Sequence, residues 1–389
     1  MASLSYRTAG ESHGRGLLAL VEGMPAGVAV DVEFINAELK RRQGGYGRGG
    51  RQKIEEDKAE ILSGVRMGRT IGAPIALFVP NRDHRLDDPA ATPPLHRPRP
   101  GHADLAGSIK WLTTDCRETL ERASARETAA RVAAGAMTRE LLRTFGIELF
   151  AFVRAVGTVS SGVEVSPDNW QALRVARDAS DVYCPDEPAS QAFREFVTQM
   201  KQAKDTAGGI VECHVFNCPV GLGSCMTWDG RLDSRLAAAV MAIQAFKGVE
   251  IGLGFETARR PGSQVHDEIA FDPAQVDRPT LGFTRRTNNA GGLEGGMTNG
   301  QPVVVRGAMK PISTLGKPLM SVDLNTKQAS EAGWERSDIS AIAAASVIVE
   351  NVVAFEIARA MIEKFGGDSL AEMRQNYDSY HAAARRLPL

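Results

Sequence analysis

No stretch of this chain approaches the roughly 20 consecutive apolar residues that a transmembrane helix needs. No basic segment followed by an apolar one opens it, so a secretory leader is not expected. The expectation is a soluble, cytoplasmic protein. Net charge is equally scarce, with 46 basic residues against 47 acidic ones and a formal balance of −1. No global field draws the protein to nucleic acid or to a membrane surface, and any basic patch is local. Cysteine is sparse and odd in number, at Cys116, Cys184, Cys213, Cys218 and Cys225. Five cysteines in 389 residues are no disulfide framework, and without paired C-x-x-C units no zinc site, or other metal site, is expected. The pair Cys213-His214 sits in the alternating run "GIVECHVFNCPVGLG" and reads as ordinary strand residues.

What the chain has in quantity is alanine in long blocks. Three stretches read as helices: Cys116 to Phe145, Ser234 to Phe246, and about Asp338 to Phe365. Apolar on most faces, they belong inside the protein. Between them lie β-branched runs punctuated by Gly and Pro, such as "GLLALVEGMPAGVAVDVEF", "APIALFVPN" and "GQPVVVRGAMKPIST". These read as antiparallel strands. Strand and helix do not alternate steadily, so the expected class is α+β, and no linker divides residues 1–389 into domains. Segments "FGIELFAF" and "KGVEIGLGF" each follow a helix, an echo that leaves an internal duplication open. Residues 81–100 are too rich in proline and charge for a core element and should form a long ordered loop.

Gly10-Glu11-Ser12-His13-Gly14 fits G-x-S-x-G, the nucleophile elbow of α/β-hydrolases. An elbow needs a substantial helix after the serine, and the apolar run here stops at Gly23 and Pro25. The flanking glycines instead leave the His13 imidazole uncovered. "KRRQGGYGRGGRQK" gathers Lys40, Arg41, Arg42, Arg48, Arg51 and Lys53 without an acidic residue. It reads as a solvated loop, an RNA contact, or a clamp for a small polyanion. Only Tyr46 offers a stacking ring, which counts against RNA. "LHRPRPGHAD" adds His96, Arg97, Arg99 and His102, and Arg122 and Arg126 stand one helical turn apart. Together these groups suit a ligand with several negative charges, because guanidinium forks onto carboxylate and phosphate. "TNNAGGLEGGMTNGQPVVV" is neither a Walker nor a Rossmann loop, since it opens a strand. "KPIST" follows it, with Lys310, Ser313 and Thr314 available to an anion.

The segments "GESHG", "GYGRGGRQ", "RPGHAD", "ERASARETAARVAAGA", "FKGVEIGLGF", "RTNNAGGLEGGMTNGQPVVV", "KPISTL" and "RSD" occur in an order that resembles the chorismate synthase family over nearly the whole chain. The resemblance implies long helices sandwiched between antiparallel sheets in each subunit of a homotetramer. It implies a lyase that converts 5-enolpyruvylshikimate 3-phosphate to chorismate by anti-1,4-elimination of phosphate and a ring hydrogen. Reduced FMN is required without net redox change. Some members, chiefly fungal, reduce the flavin with NADPH. No added segment for that is evident, so a monofunctional enzyme with an external reductant is expected. A flavin oxidoreductase with net hydride transfer is the rival enzyme reading, and a phosphometabolite- or RNA-binding protein the non-enzymatic one.

By the same resemblance, His13 assists phosphate departure, His102 manages flavin protonation, and Asp338 relays a proton near flavin N5. Ser12, Arg42, Arg48, Arg51, Arg99 and Arg126 contact the substrate. Arg122, Ala123, Ser124, Gln244, Ala245, Gly295, Lys310, Pro311, Ile312, Ser313, Thr314 and Arg336 hold FMN. Ser12 is then a neighbour of the working histidine. In a turnover assay with reduced FMN, Ser12→Ala is expected to stay far above the roughly 10⁴-fold loss that removal of a nucleophile causes.

Overall fold

The computed structural model describes residues 3–50, 54–333, 335 and 337–387. Arg51 and Arg336 lie outside them. Two antiparallel sheets carry the architecture. The first orders β1 (Ser5–Ala9), β2 (Gly16–Glu22), β6 (Ile75–Pro80) and β3 (Glu60–Ile61). The second orders β10 (Phe246–Ile251), β15 (Val303–Met309), β9 (Gly209–Phe216), β7 (Glu148–Val156) and β8 (Val159–Ser160). Hairpins β4–β5 (Val65–Arg66, Arg69–Thr70), β11–β12 (Ile269–Phe271, Phe283–Arg285), β13–β14 (Leu293–Glu294, Met297–Thr298) and β16–β17 (Met320–Val322, Ala329–Glu331) decorate the connections. The period-2 pattern of β2 and β6 sends Leu17, Ala19, Val21, Ile75, Leu77 and Val79 to one buried face.

Helices fill the space between the sheets. α4 (Thr128–Thr144) packs on β2 and β6, α8 (Ile342–Phe365) packs on β7 and β9, and the two helices pack on each other. α1 (Val32–Gln43) touches both, and α7 (Leu232–Met241) lies between α8 and β10. α8 is buried continuously from Ile342 to Phe355, yet no helix among the described residues is long and apolar enough to cross a membrane. α5 (Trp170–Ala179) and α6 (Glu187–Gln202) pack on β7 and β8, and α9 (Leu370–Ala384) closes on α8. Asp31, Asp186 and Ser369 cap α1, α6 and α9 by accepting an N–H of the first turn. The two echo strands, β7 and β10, share one sheet with β9 and β15 between them.

Several expected boundaries move. The helix read from Cys116 to Phe145 is broken. α3 (Arg117–Ala123) stops at Ser124, whose backbone is extended and whose hydroxyl accepts the Arg126 N–H, and α4 starts at Thr128. Serine competes with the helix for backbone partners, and here it wins. Arg122 and Arg126 therefore do not share a face of one helix. α7 ends at Met241, short of Phe246, and Ala245 turns the chain with φ at +71°. α8 begins at Ile342, which leaves Asp338 in a loop. "VEF" after Asp31 belongs to α1 and not to a strand, and Lys40, Arg41 and Arg42 are its last turn.

Within the helical layer lies a buried ionic cluster. Glu350 of α8 has no exposure, and its carboxylate pairs with Arg41, with Arg139 at 3.4 Å and with Arg177 at 3.3 Å. Glu38 joins through Arg41 at 3.1 Å, Arg139 at 3.3 Å and the Asn351 amide at 2.9 Å. Burial pushes the Glu350 carboxyl up, but the three guanidiniums overrule it and hold it down at about 2. Beside this cluster α4 and α8 approach so closely that a Cβ on Gly135 would lie 2.2 Å from the Asn351 carbonyl oxygen. Gly135→Ala gains about 1 kcal/mol of helix propensity. Overpacking costs about 1–3 kcal/mol or more, and contact with rigid backbone puts it at the upper end. The expected outcome is a net loss of stability, read as a lower midpoint in urea with an unchanged slope.

Candidate active site

The loop joining β1 to β2 presents His13, and a strand on each side of it rules out a nucleophile elbow. Asn81, just past β6, braces this loop by donating its amide to the carbonyls of Glu11, Ser12 and Gly14 at 3.1, 3.2 and 2.8 Å. The buried carboxylate of Glu121 on α3 accepts the main-chain N–H of His13 at 2.9 Å. It also meets His13 Nδ1 at 2.9 and 3.0 Å. Burial pushes the Glu121 carboxyl up, but the hydrogen bond and charge of His13, then Arg117, bring it below the ordinary range. Ser12 is buried, and its N–H is donated to the Glu121 carbonyl at 3.1 Å.

Asn81 also accepts from Arg126 Nε at 2.9 Å, which ties this loop to a basic cluster. Arg126 Nη1 is donated to Asp57 at 2.6 Å, and Arg42 Nη2 reaches the same carboxylate at 3.0 Å. Against burial, the two guanidiniums hold Asp57 ionised below its ordinary value. Arg42 is depressed to about 10 by burial, with the charges of Arg126 and Arg48 adding to it and Asp57 opposing. Buried donors remain over. Arg42 Nε, Arg48 Nε and Arg126 Nη2 have no hydrogen-bond acceptor among the described residues, although Arg126 Nη2 stands 3.6 Å from the Glu55 carboxylate. Such donors call for an anion, because an unmet buried N–H is costly.

Arg48 Nη1 pairs with Asp338 at 2.6 Å, and the same carboxylate accepts the Gly49 N–H at 2.6 Å. The approach is close, since a Cβ at Gly49 would stand 3.0 Å from the Ser337 carbonyl oxygen. Ser337 in turn donates to the Thr314 carbonyl at 3.0 Å, and the Thr314 hydroxyl accepts from Arg99 Nη1 at 3.1 Å. Arg99 grips the fully buried Asp104 through its main-chain N–H at 3.0 Å and Nε at 2.8 Å. His102 Nδ1 hydrogen-bonds to the other oxygen of Asp104 and lies 3.0 Å from Arg99 Nη2. Burial would raise the Asp104 carboxyl, but the hydrogen bonds from His102 and Arg99 hold it far below the carboxylate range. Arg99 is thus a strut between two loops and has its donors engaged inside the protein.

A third group adjoins these. Arg122, beyond Glu121 at the end of α3, reaches back to the Gly10 and Thr8 carbonyls at 3.3 and 3.0 Å. Ala123 ends α3, and Ser124 makes the break described above. Gln244 donates to Glu127 at 3.0 Å, while its buried Oε1 has no donor among the described residues. The Ala245 carbonyl accepts the Lys310 N–H at 2.9 Å. Burial and the nearby Lys247 charge lower the Lys310 ammonium. The Ile312 carbonyl is held by Thr206 at 2.7 Å, Pro311 is exposed, and Ser313 lies beside Gly101 of the His102 loop. Gly295 does not join them within this chain. It forms the β13–β14 turn with Gly296, both at positive φ, and the turn abuts the start of α7, the end opposite Gln244.

Sequence reasoning named the arginines and histidines of this assembly and missed its acids, Glu121, Asp57, Asp104 and Glu127, along with Asn81. Guanidiniums with buried donors left over, beside two histidines each backed by a buried carboxylate, form a candidate active site whose chemistry suits a small polyanion. The family model for chorismate synthase matches residues 4–362. The chorismate synthase of Geobacter metallireducens is 54% identical, with 97% of this chain and 98% of that protein covered. That of Symbiobacterium thermophilum is 51% identical at the same coverage. A crystal structure of a chorismate synthase matches with a TM-score of 0.80 and 40% identity, covering 99% of both chains. The chain belongs to the chorismate synthase family.

Because the Asp104 carboxyl is depressed on folding, its contribution is full above the unfolded value of about 3.8 and lost as pH falls through the folded value. Asp104→Asn is therefore expected to cost about 3 kcal/mol near neutrality. The gap from the parent should narrow steadily below about pH 4, which urea unfolding across a pH series would measure.

Proposed function

We propose that this protein catalyses the anti-1,4-elimination of phosphate and the C6 hydrogen from 5-enolpyruvylshikimate 3-phosphate to give chorismate. The substrate's C–O bond to phosphate and one ring C–H bond break, and a ring double bond forms. The observation that carries the reading is the cluster of Arg42, Arg48 and Arg126, whose buried donors await an acceptor that two carboxylates and a phosphate would supply. Arg99 acts indirectly here, by fixing the His102 loop against Thr314.

The residues around Gln244 and Lys310 fit reduced FMN. Gln244 offers a buried acceptor with no donor among the described residues, Lys310 offers a cation, and Arg122 reaches the Thr8 hydroxyl, which bonds the same Glu127 carboxylate that Gln244 meets. Reduced FMN, when bound, supplies the electron density that lets phosphate leave from a substrate with a weakly acidic C–H. Arg122 to Ser124, Gln244, Ala245 and Lys310 to Thr314 would hold it, with Arg336 from outside the described residues. Gly295 would reach it only by a route other than this chain's own fold. His13 holds a proton toward the departing phosphate oxygen, His102 manages proton exchange on the flavin side, and Asp338 passes a proton once Arg48 turns to the substrate.

We read the enzyme as cytoplasmic, monofunctional and dependent on an external flavin reductant. Exposed Trp111, Met226, Trp228 and Phe255 favour a homo-oligomer, a tetramer on the family pattern. The helix–strand echo favours an internal duplication. The decisive experiment mixes protein, 5-enolpyruvylshikimate 3-phosphate and chemically reduced FMN under anaerobic conditions. Equal amounts of phosphate and chorismate are expected, with the flavin still reduced at the end. Phosphate release without chorismate, or turnover sustained by NADPH and oxidised FMN alone, would refute the elimination or the monofunctional reading respectively.

A further inference from the structure

Every polar atom of His13 except one is already engaged. Its carbonyl accepts the N–H groups of Arg85 and Leu86 at 2.9 and 3.0 Å. Its own N–H and its Nδ1 both converge on the Glu121 carboxylate. Among the described residues only Nε2 is left, facing Asp83 across 3.8 Å on the partly open side. Glu121 is itself held on several sides. Its side chain has no exposure, its carbonyl holds Ser12, and Arg117 stands 3.6 Å from Oε1 while pairing with Glu335 at 2.9 Å.

We propose that Glu121 is the positioning residue for His13, fixing the imidazole by its Nδ1–H so that Nε2 alone faces the substrate. An ionised carboxylate offers only acceptors, so the nitrogen against it must carry the proton. The neutral ring then has one tautomer, Nδ1–H, so the proton that His13 offers the departing phosphate oxygen is the second one, carried at Nε2 by the imidazolium and given up there. This inference rests on the catalytic reading of His13 given above and adds to it which nitrogen acts and what selects it. His102 supplies the contrast. Its Nδ1 also meets a buried carboxylate, but Arg99 crowds the same nitrogen, so that pairing serves loop bracing as much as orientation.

Glu121→Gln tests the idea because a side-chain amide has one acceptor and one donor end. The main-chain N–H of His13 has no other acceptor and keeps the oxygen. The amide NH2 then replaces the oxygen 3.0 Å from Nδ1 and the other oxygen is shared with the main-chain N–H, so Nδ1–H loses one of its two acceptors and the Nε2–H tautomer gains a donor. The measurement is the imidazole ¹⁵N–¹H correlation spectrum of enzyme labelled at histidine, without flavin and above the imidazole titration. The His13 signal is identified by its loss in His13→Gln. The parent should show Nδ1–H alone at His13 and the Glu121→Gln variant a measurable share of Nε2–H. With substrate and reduced FMN, kcat of that variant should fall roughly 10²–10⁴-fold with KM little changed, the range of a misaligned acid–base group. An Nε2–H tautomer in the parent would overturn the positioning role, and this spectrum decides the matter even if the glutamine variant folds poorly. Undiminished turnover in His13→Ala would instead overturn the catalytic reading on which the role depends.

Discussion

A carboxylate with no access to water holds the two halves of the helical layer together. Glu350 sits on the most apolar helix of the chain and collects guanidiniums from α1, from α4 and from the end of α5. Removing an ion from water is expensive, and only a full complement of partners makes it tolerable. That requirement fixes relative placement, because any slip of α1 or α4 along α8 would leave a charge unmatched. Arg41 and Arg42 are neighbours at the end of α1, and Arg41 points inward to Glu350 while Arg42 points to Asp57 at the candidate site. The core cluster and the site are therefore positioned by one helical turn.

The site repeats the same physics in a more open place. Asp57, Asp104 and Glu121 are kept ionised against burial by the hydrogen bonds and basic groups around them, and each ties two segments together. Asp57 joins Arg42 of α1 to Arg126 before α4, Asp104 joins Arg99 to His102, and Glu121 joins α3 to the His13 loop. Basic residues that would repel each other in isolation are thus brought within reach of one ligand. The surplus of positive donors is small and local, which agrees with a chain whose total charge is near zero.

Much of this was legible in the sequence where a repeating pattern carried it. The alternation in β2 and β6 and the unbroken apolar run of α8 each dictate one structure. Glycines around His13 and Arg48 marked loops that present side chains. Events decided by a single competing hydrogen bond were not legible. Ser124 sits among alanines in a helical context, and only the acceptance of the Arg126 N–H shows that the helix stops. The start of α8 was overrun because "RSDIS" continues the polar-apolar rhythm while Asp338 is held out by Arg48. The acids of the site were invisible for a plainer reason. A glutamate followed by an arginine, as Glu121-Arg122 is, looks like a solvated helix surface until the fold shows what lies opposite. Residues 161–207, which carried no motif, became α5 and α6, and the segment reaches the site by way of Thr198, 2.9 Å from the Tyr46 hydroxyl, and Thr206, which holds the Ile312 carbonyl at 2.7 Å.

The contacts that build the site join residues very far apart along the chain. His13 meets Glu121 across 108 positions, Arg99 meets Thr314 across 215, and Gly49 meets Asp338 across 289. Closing such loops is entropically slow, and none of these pairings is favoured until the strands and helices between them have docked. During synthesis Arg48 and Gly49 emerge long before the aspartate that will hold them. A nascent chain of this protein therefore carries its basic loop without its native counter-ion for most of translation, and chemical competence arrives only as α8 closes the sandwich.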